Sequence, residues 1–504
     1  MKAALLDSKK VVDLAPQRWQ GYIRATRIFS SLNKHASAIK TVDLGLNRLR
    51  GDDSRRRAQL LELREKSVQA QAAAERQRQL YLAKTAYHVG KLPTEILAEI
   101  FAILVDTDHC QAIMLSHVCN HWRGIILATP SLWCTLVLSN KRPVRKIKVW
   151  LERSKSRITT LTVHRSLSPL EFSSVLAELR RLSWNVLQNL QTHTSFLIEL
   201  HRLLLELSVA RTYTHLKRLS LDACGSVEHI FTSSCEWDLE ELSSTGPMQL
   251  PEQYWRCFTR LRVLHVRQLP THFPLCAIEA LPLLESLVLD FSSPMLILGT
   301  LAQALHMIRL TRIELRNVEN PLALLGNIIT PSLQDMTVFG AISRVDEALL
   351  HALCVDHNNL VSLRVGNCSL KPITLVTILS CVPRLETLQI YCIDGVVNEG
   401  LQYLVGRNPF PELLLPLGDG LPCSVLKHVD VSRCSDLSTS SVYALVKSRL
   451  QNEAEANPSD RCKIESLRID GCPKMDAELL PWFRSKVEGF SCVYMTKKEA
   501  RQRR

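Results

Sequence analysis

The chain has 504 residues, of which 46% are hydrophobic and 22% charged, an ordinary composition for a globular protein. At about 150 residues per domain, this length predicts about three structural units. No stretch approaches 18 consecutive apolar residues, which excludes a transmembrane helix, and the N-terminus MKAALLDSKK does not have the pattern of a secretory signal. The 16 cysteines are scattered and never form Cys-x-x-Cys, so we expect a reducing compartment.

The net charge of +13 is concentrated in three segments. Residues 1–90 carry +10, residues 141–165 carry +8 and residues 497–504 carry +4, whereas residues 166–496 carry −7. A basic balance within one compact domain would favour nucleic-acid binding. Here the positive charge belongs to an arm, a connector and a tail, which argues against nucleic acid as a direct ligand of the large C-terminal part.

Residues 1–50 contain two runs of apolar residues at helical spacing. The break between the runs falls at Leu32-Asn33-Lys34, which predicts two antiparallel helices joined by a tight turn. Small residues where the helices would cross, and Phe29 near the end of the first helix, resemble a tetratricopeptide repeat. The resemblance implies that residues 2–15 are the second helix of an earlier repeat whose first helix is missing from the chain.

Residues 51–90 are charged, rich in Ala and Gln and free of Pro. This composition predicts a solvent-exposed helical linker with pairs of opposite charges four residues apart. Arg55-Arg56-Arg57 and Lys66 allow two interpretations, part of a nuclear localisation signal or a solvated helix face. The expected location is therefore the nucleus, the cytoplasm or both.

Residues 91–137 predict a compact unit of three helices. Leu92-Pro93-Thr94-Glu95 places a proline and a carboxylate at a helix start, where both are favoured. A second apolar helical run comes next and ends at Pro130-Ser131-Leu132-Trp133. A unit this short cannot bury all of its apolar side chains alone, so we expect one face to be left for a partner.

The string LPTEILAEIF…LSHVCNHWRGIILATPSLW resembles an F-box, because its three short motifs occur in the family's order and spacing. Asn120 departs from the family, which often has Arg there. F-box proteins bind the Skp-type adaptor of an SCF ubiquitin ligase and, through it, the cullin and RING subunits. The resemblance implies that these residues form the adaptor contact: Leu92, Pro93, Ile96, Ile100, Val118 and Trp122. The alternative is that they are core residues, while Trp133 is expected to pack the unit against the C-terminal part of the chain.

Residues 157–490 contain a recurring L-x-x-L-x-L pattern whose central positions mostly step by 23–27 residues. This spacing is typical of leucine-rich repeats, each with one short parallel strand and one return helix. Ile158/Leu161/Val163 is interpreted as a degenerate first copy. One step of 45 residues and two insertions, 408–424 and 451–460, interrupt the spacing.

Side chains between the strand leucines are expected to point to one concave face. The candidate substrate face consists of Ser220, His265, Glu314, Arg364, Gln389, Asp430 and Arg468. Its mixed, mostly polar chemistry suits a protein surface better than a nucleic-acid backbone, and either this face or the insertions would recognise the target. Four cysteines complete the repeat pattern L-x-x-L-x-L-x-x-C and are predicted to be buried structural thiols: Cys224, Cys368, Cys434 and Cys472.

The basic connector, residues 138–165, is interpreted as an amphipathic helix that seats the F-box on the repeats, with phosphate contact as the alternative. His117 and His121, four residues apart, are candidate metal ligands, but no second ligand pair has zinc spacing. No nucleotide-binding, metallopeptidase or serine-nucleophile motif occurs. We therefore predict no metal, no cofactor and no catalytic residue. Residues 491–504 form a basic tail whose end, KKEARQRR, is expected to be disordered.

The predicted fold is multi-domain, with an α-helical repeat and a three-helix F-box followed by an α/β leucine-rich-repeat solenoid. This order resembles fungal F-box/TPR/LRR proteins that maintain genome stability at replication forks. The resemblance implies a non-catalytic substrate receptor of an SCF ubiquitin ligase, with a protein substrate and with replisome or chromatin proteins as further partners. The alternatives are an interaction scaffold without ligase assembly, a nucleic-acid or chromatin binder that uses residues 1–90, and, least supported, a self-contained enzyme.

Overall fold

The computed structural model describes most of the chain in two compact units, Met1–Ile100 and Phe101–Arg504. The described residues are 2–49, 53–86, 92–207, 215–222, 225–226, 237–250, 252–268, 272–299, 301, 303–354, 359–412, 421–450 and 462–493. Across these ranges, no helix combines the length and the apolar character needed to cross a membrane.

Four helices open the first unit, and three of them share a small core. Their bounds are α1 (Lys2–Leu14), α2 (Trp19–Ser31), α3 (His35–Arg48) and α4 (Ser54–Ala86). Tyr22, Val42 and Leu60, one from each of α2, α3 and α4, are buried together. A Cβ at Gly45 would lie 3.0 Å from the Tyr22 ring, so the missing side chain lets α3 pack closely on α2.

The turn between α2 and α3 falls where the sequence predicts it, at residues 32–34. The long helix α4 is mostly exposed and carries the expected ion pair between Glu62 and Lys66, at 2.7 Å. It is not wholly solvated, however, because Leu60 is fully buried and Ser67 is 3% exposed. The N-terminal half of α4 therefore belongs to the helical core rather than to a linker.

Three further helices and one 3₁₀ turn come next in the chain. They are α5 (Thr94–Thr107), α6 (Gln111–Ser116), α7 (Asn120–Ala128) and the turn Pro130–Trp133. Helix α5 spans the division between the two units. These elements match the three-helix unit predicted for residues 91–137.

The second unit is built on one long parallel sheet. The strands are β1 (Thr135–Leu138), β2 (Thr160–Val163), β3 (Asn189–Thr192), β4 (Arg218–Leu221), β5 (Gly225–Ser226), β6 (Glu241–Gln249), β7 (Val263–Gln268), β8 (His272–Pro274), β9 (Ser286–Leu298), β10 (Leu305–His306), β11 (Arg312–Val318), β12 (Ile328–Ile329), β13 (Asp335–Phe339), β14 (Ser362–Gly366), β15 (Thr387–Tyr391), β16 (His428–Asp430), β17 (Ser466–Arg468) and β18 (Gly489–Ser491). The sheet runs β1-β2-β3-β4-β6-β7-β9-β11-β13-β14-β15-β16-β17-β18, so each strand pairs with the strand of the next repeat. Outside this path, β5 pairs with β6, β8 with β9 and β10 with β12.

The return segments between strands contain helices of very different length. They are α8 (Pro143–Ser154), α9 (Phe172–Leu179), α10 (Thr194–Glu206), α11 (Glu252–Trp255), α12 (Cys276–Glu279), α13 (Leu322–Leu325), α14 (Val345–Leu353), α15 (Pro372–Cys381), α16 (Val397–Leu404), α17 (Thr439–Leu450) and α18 (Leu480–Lys486). Repeats of 22 or 23 residues hold only the four-residue helices α11, α12 and α13, while repeats of 25 or 27 residues hold α14 and α15. The expectation of one full return helix in every repeat was wrong. The shortest repeats hold a single helical turn, and the 26-residue repeat between Leu287 and Ile313 has no helix among its described residues.

The leucine pattern forms the core of the sheet. Central-position side chains of the strands are at most 2% exposed, as for these residues: Leu161, Leu190, Leu219, Leu242, Leu264, Leu287, Ile313, Met336, Leu363, Leu388, Val429 and Leu467. Each is paired in register with the central residue of its neighbours in the sheet. The fold class predicted from the sequence, with helices followed by an α/β repeat solenoid, is therefore confirmed.

The sheet contains more strands than the leucine pattern revealed. It begins at β1, with Trp133/Leu136/Leu138, rather than at the copy around Leu161 that was interpreted as the first. The step of 45 residues holds an additional strand, β6, whose repeat positions are Leu239/Leu242/Ser244. The L-x-x-L-x-L pattern did not identify these two repeats, because the first has Trp133 and the second has Ser244 at a position where the pattern requires an aliphatic residue.

Trp133 joins the three-helix unit to the sheet. Its ring is fully buried, its Nε1 donates a hydrogen bond to the Ile126 carbonyl at 2.9 Å, and its centroid lies 5.1 Å from that of Trp150 on α8. The Arg153 guanidinium lies 4.3 Å from the Trp133 centroid. Trp133 therefore holds α7 and the amphipathic helix α8 together, as expected from the sequence.

Replacing Trp133 with Ala should lower the free energy of unfolding by about 3–5 kcal/mol, because it removes a buried ring and a hydrogen bond. The measurement is urea denaturation followed by circular dichroism. Leu127→Ala is the control, since Leu127 is 44% exposed on the preceding helix and should change the value by less than about 1 kcal/mol. Equal losses in the two variants would contradict this role of Trp133.

Candidate functional site

The residues predicted as the substrate face are brought together in one row across the sheet. Strand register pairs the intervening side chains of successive strands, so that they all point away from the buried leucines. The complete row is Val137, Thr162, Gln191, Ser220, Ser243, His265, Val288, Glu314, Thr337, Arg364, Gln389, Asp430, Arg468 and Ser491. We call this set the outward row. Ser243 was missed because its repeat ends in Ser244 instead of an apolar residue.

The two carboxylates of the outward row are held by neighbours on the same face. Glu314 accepts hydrogen bonds from Arg312 at 2.7 Å and Arg316 at 2.6 Å. Partial burial raises the pKa of the Glu314 carboxyl, but the bonds from both arginines outweigh it and hold the pKa below its usual range. Asp430 accepts hydrogen bonds from the backbone and side chain of Ser432. These groups act as fixed parts of the surface.

The outward row also contains a histidine that stays neutral. Burial, followed by the positive charge of Arg267, lowers the pKa of His265 below its ordinary value. A neutral imidazole offers one hydrogen-bond donor and one acceptor. His265 therefore contributes hydrogen bonding rather than charge to this part of the face.

The N-terminal end of the outward face forms a groove of about 960 Å³. Its lining includes the neutral polar residues Thr162, Asn189 and Gln191, the ion pair of Arg218 with Glu241, and the α5–α6 turn. Hydroxyl and amide groups of this kind bind peptide groups by hydrogen bonds rather than by charge. The groove extends the outward face toward the three-helix unit.

The two insertions proposed as target-binding elements lie mostly outside the described residues. Segment 451–460 is outside entirely, and 413–420 of the segment 408–424 is also outside. The buried Arg449 on α17 donates hydrogen bonds to the carbonyls of Cys423 at 3.1 Å, Pro422 at 2.7 Å and Leu404 at 3.4 Å. This arginine fixes the end of the first insertion against the repeats.

Helix α5 exposes a stripe of apolar side chains. Ile96 is 48% exposed, Ile100 40% and Ile103 66%, whereas Leu97 and Phe101 are 1% exposed. Residues three and four apart lie on one side of a helix, so the exposed isoleucines share a face. Pro93 is exposed before the helix and Leu92 is half-buried. An exposed apolar helix face of this kind fits a binding surface for another protein.

The other two predicted contact residues differ in burial. Val118, in the turn between α6 and α7, is 59% exposed. Trp122 on α7 is half-buried, and its ring lies 4.9 Å from the ring of Phe101. Val118 can contact a partner, whereas Trp122 packs partly against Phe101 and is partly exposed to solvent.

The candidate metal ligands around α7 do not share one helix. His117 ends α6, and Cys119 caps α7 by accepting a hydrogen bond from the Trp122 backbone N–H, so the expected helical alignment of His117 with His121 was wrong. Three consecutive residues, 108–110, bring metal-ligand atoms within 4.8 Å of one another, the only such group within the described ranges. The Lys146 ammonium lies 3.5 Å from the imidazole of that group and already places a positive charge beside it.

The cysteines of the repeats hydrogen-bond to the backbone of neighbouring repeats. The Cys434 thiol donates to the Ile390 carbonyl at 3.5 Å, and the Cys472 thiol donates to the Val431 carbonyl at 3.2 Å. Both are buried, while Cys368 is half-buried and Cys224 lies outside the described residues. Cys423, which lies outside the repeat motif, is also buried and donates to the Leu379 and Val382 carbonyls.

Comparison with known proteins finds a match to the F-box-like family over residues 89–139. No curated protein matches the chain. Among solved structures the chain is similar to an internalin from Listeria monocytogenes, with 12% identity, 70% of this chain and 75% of that chain covered, and a TM-score of 0.34. It is also similar to a leucine-rich-repeat protein from Leptospira interrogans, with 11% identity and a TM-score of 0.29. That match covers 68% of this chain and 92% of the other. The APL1 leucine-rich repeat domain is similar with 13% identity and a TM-score of 0.33. That match covers 72% of this chain and 97% of the other.

The buried thiols should resist alkylation in the folded protein. Burial raises the pKa of Cys423 and Cys434 to about 12, so both are neutral near pH 8, and only the thiolate reacts rapidly. Iodoacetamide labelling followed by mass spectrometry should modify the exposed Cys119 first. In urea, which unfolds the protein, Cys434 and Cys119 should be labelled at similar rates. Alkylation of Cys434 as fast as Cys119 in the native protein would contradict its structural role.

The exposed apolar stripe should contribute little to the stability of the isolated chain. Ile100→Ala and Val118→Ala should change the free energy of unfolding by less than about 1 kcal/mol, because both side chains already contact solvent. Phe101→Ala should lower it by about 3–5 kcal/mol, because that ring is buried. Chemical denaturation distinguishes the two groups, and a large loss for Ile100→Ala would show that this side chain belongs to the core.

Proposed function

We propose that the protein is the substrate-recognition subunit of an SCF-type ubiquitin ligase and has no catalytic site of its own. Segment 89–139 would bind the Skp-type adaptor and, through it, the cullin and RING subunits. The leucine-rich repeats would hold a protein target near the charged ubiquitin-conjugating enzyme. The contribution of this chain to the rate is then proximity rather than chemistry.

One observation carries this proposal. The segment that matches the F-box-like family is also the segment where helix α5 exposes Ile96 and Ile100 to solvent. An F-box implies binding to a Skp-type adaptor, and leucine-rich repeats imply protein binding. Both are modules that typically do not catalyse reactions. The outward row supplies a polar, protein-sized surface on the repeats.

The proposal extends to nuclear genome maintenance, with replisome or chromatin proteins bound by the first unit. Its support is the antiparallel pair α2 and α3, which packs closely through Gly45 as a tetratricopeptide-like repeat would. The basic residues Arg55 to Arg57 are exposed at the start of α4 and suit an import signal. The corresponding location is the nucleus, the cytoplasm or both.

The test is affinity purification of the tagged full-length chain beside the double variant Pro93→Ala/Ile100→Ala, with mass spectrometry of both. We expect adaptor and cullin with the wild type and a loss of about tenfold or more with the variant, because exposed apolar anchors dominate interface energies. Leu170→Ala is the matched control, since Leu170 is 92% exposed but lies outside the F-box-like segment.

Each outcome decides between the proposed functions. Adaptor without cullin in the wild-type sample favours an interaction scaffold that uses the F-box without ligase assembly. Neither subunit in the wild-type sample overturns the ligase assignment. A steep salt dependence of nucleic-acid binding, lost on deletion of residues 1–90, would instead support the chromatin binder.

A further inference from the structure

The outward face changes character along the sheet. Its first five positions are uncharged: Val137, Thr162, Gln191, Ser220 and Ser243. From β11 onward, charged and aromatic side chains appear on the same face. Outside the row, the first half of the face also carries charged side chains, but they pair with each other, as Arg218 does with Glu241 and Arg267 with Asp290. Charge within the row itself is found in the second half.

Two aromatic rings meet over a glycine on this half. Register places Phe339 on β13, Gly366 on β14 and Tyr391 on β15 side by side. The backbones of β13 and β15 are two strand spacings, about 10 Å, apart, yet the two ring centroids are 6.2 Å apart. They meet because Gly366 has no side chain, and a Cβ there would lie 2.5 Å from the Phe339 ring. The absent side chain creates a continuous aromatic surface.

Guanidinium groups flank this aromatic pair. Arg316 lies 5.1 Å from the Phe339 centroid, and Arg433 lies 5.5 Å from the Tyr391 centroid. Both distances are within the range of cation–π contacts. The two arginines extend the flat surface across the strands from β11 to the turn after β16. Because Arg316 is paired with Glu314, the positive charge at the edge comes from Arg433.

Arg364 lies beside this surface as a cation without an ion pair among the described residues. It lies two residues before Gly366 on β14, which places both on the same face, and it is half-buried between Thr337 and Gln389 of the outward row. Within the described residues it makes no ion pair and no side-chain hydrogen bond, whereas Arg312 and Arg316 both bind Glu314. A partly desolvated cation without an acceptor is costly and is stabilised by an incoming anion.

We propose that an acidic segment of the target protein binds here in an extended conformation. A Glu or Asp carboxylate would bind the Arg364 guanidinium, and a neighbouring apolar side chain would cover the rings of Phe339 and Tyr391. Arginine binds carboxylates through two parallel hydrogen bonds, which gives geometric selectivity as well as affinity. The inference rests on the proposed function, because it names the class of target for the same face.

The local charges favour a carboxylate over other anions. The neighbours of Arg364 in the outward row are Thr337 and Gln389, so no second cation stands beside it in that row to match a dianionic phosphate. The carboxylates Glu314 and Asp430 lie in the same row, so the row does not suit a ligand that carries a negative charge at every repeat, such as a nucleic-acid backbone. A peptide with one negative charge and an adjacent apolar residue fits these constraints.

The test is selection from a random decapeptide display library on the immobilised full-length chain. We expect enriched peptides to contain Asp or Glu next to an aromatic or aliphatic residue. A synthetic peptide of the enriched sequence should lose about tenfold or more in affinity with Arg364→Gln, because a charge-assisted hydrogen bond is removed. Tyr391→Leu should weaken binding less. Arg218→Gln is the matched control, since that arginine is on the same sheet but pairs with Glu241.

Other results would overturn the assignment. These are a selection that enriches no acidic peptide, equal binding by wild type and Arg364→Gln, or tighter binding when phosphoserine replaces the Glu of the peptide. Arg364→Glu gives a second readout, because charge reversal should abolish binding of the acidic peptide while the adaptor still co-purifies. If Arg364→Glu loses the peptide but still co-purifies with the adaptor, the defect lies in this site. If the wild-type chain binds the peptide but recruits no adaptor, only the proposed ligase function is overturned.

Discussion

The stacking of buried leucines in parallel register is the constraint on which the rest of the structure depends. Strands such as β2, β4 and β17 are only three or four residues long and bury one or two side chains each, too few to be stable alone, so every repeat relies on its neighbours. The pairing of Leu363 with Met336 and Leu388 is representative. Since side chains alternate across a strand, the same register that buries these residues also fixes the row of polar side chains on the opposite face.

That constraint links the two proposed binding functions. The first strand, β1, continues directly from the turn that contains Trp133, and Trp150 on α8 packs against that ring. The Trp150 Nε1 also donates a hydrogen bond to the Thr135 carbonyl at 2.8 Å. The end of the F-box-like segment is therefore built into the sheet, rather than attached by a mobile linker, so a target on the outward face is held at a fixed relation to α7.

The fold was largely predictable from the sequence, but the exact number of repeats was not. Leucines at fixed spacing predict parallel strands wherever all three apolar positions are present. The repeats around Leu190 and Leu242 end in Thr192 and Ser244, so pattern reading alone did not identify them. Hydroxyl groups are tolerated there because both side chains are buried within the stack and make hydrogen bonds to backbone carbonyls, as Ser244 does to Gly246.

The sequence by itself determined the order of the modules, the exposed helix α5 and part of the outward row, because helical and strand periodicity fix which residues face the core. Only the tertiary structure decided which charges remain free. In the sequence, Glu314, Arg316 and Arg364 are all charged residues at outward-facing positions. In the structure, Glu314 and Arg316 form an ion pair on one strand, whereas Arg364 has no acceptor among the described residues. The contact of Phe339 with Tyr391 likewise depends on Gly366 lying between them, a relation that joins residues 52 positions apart.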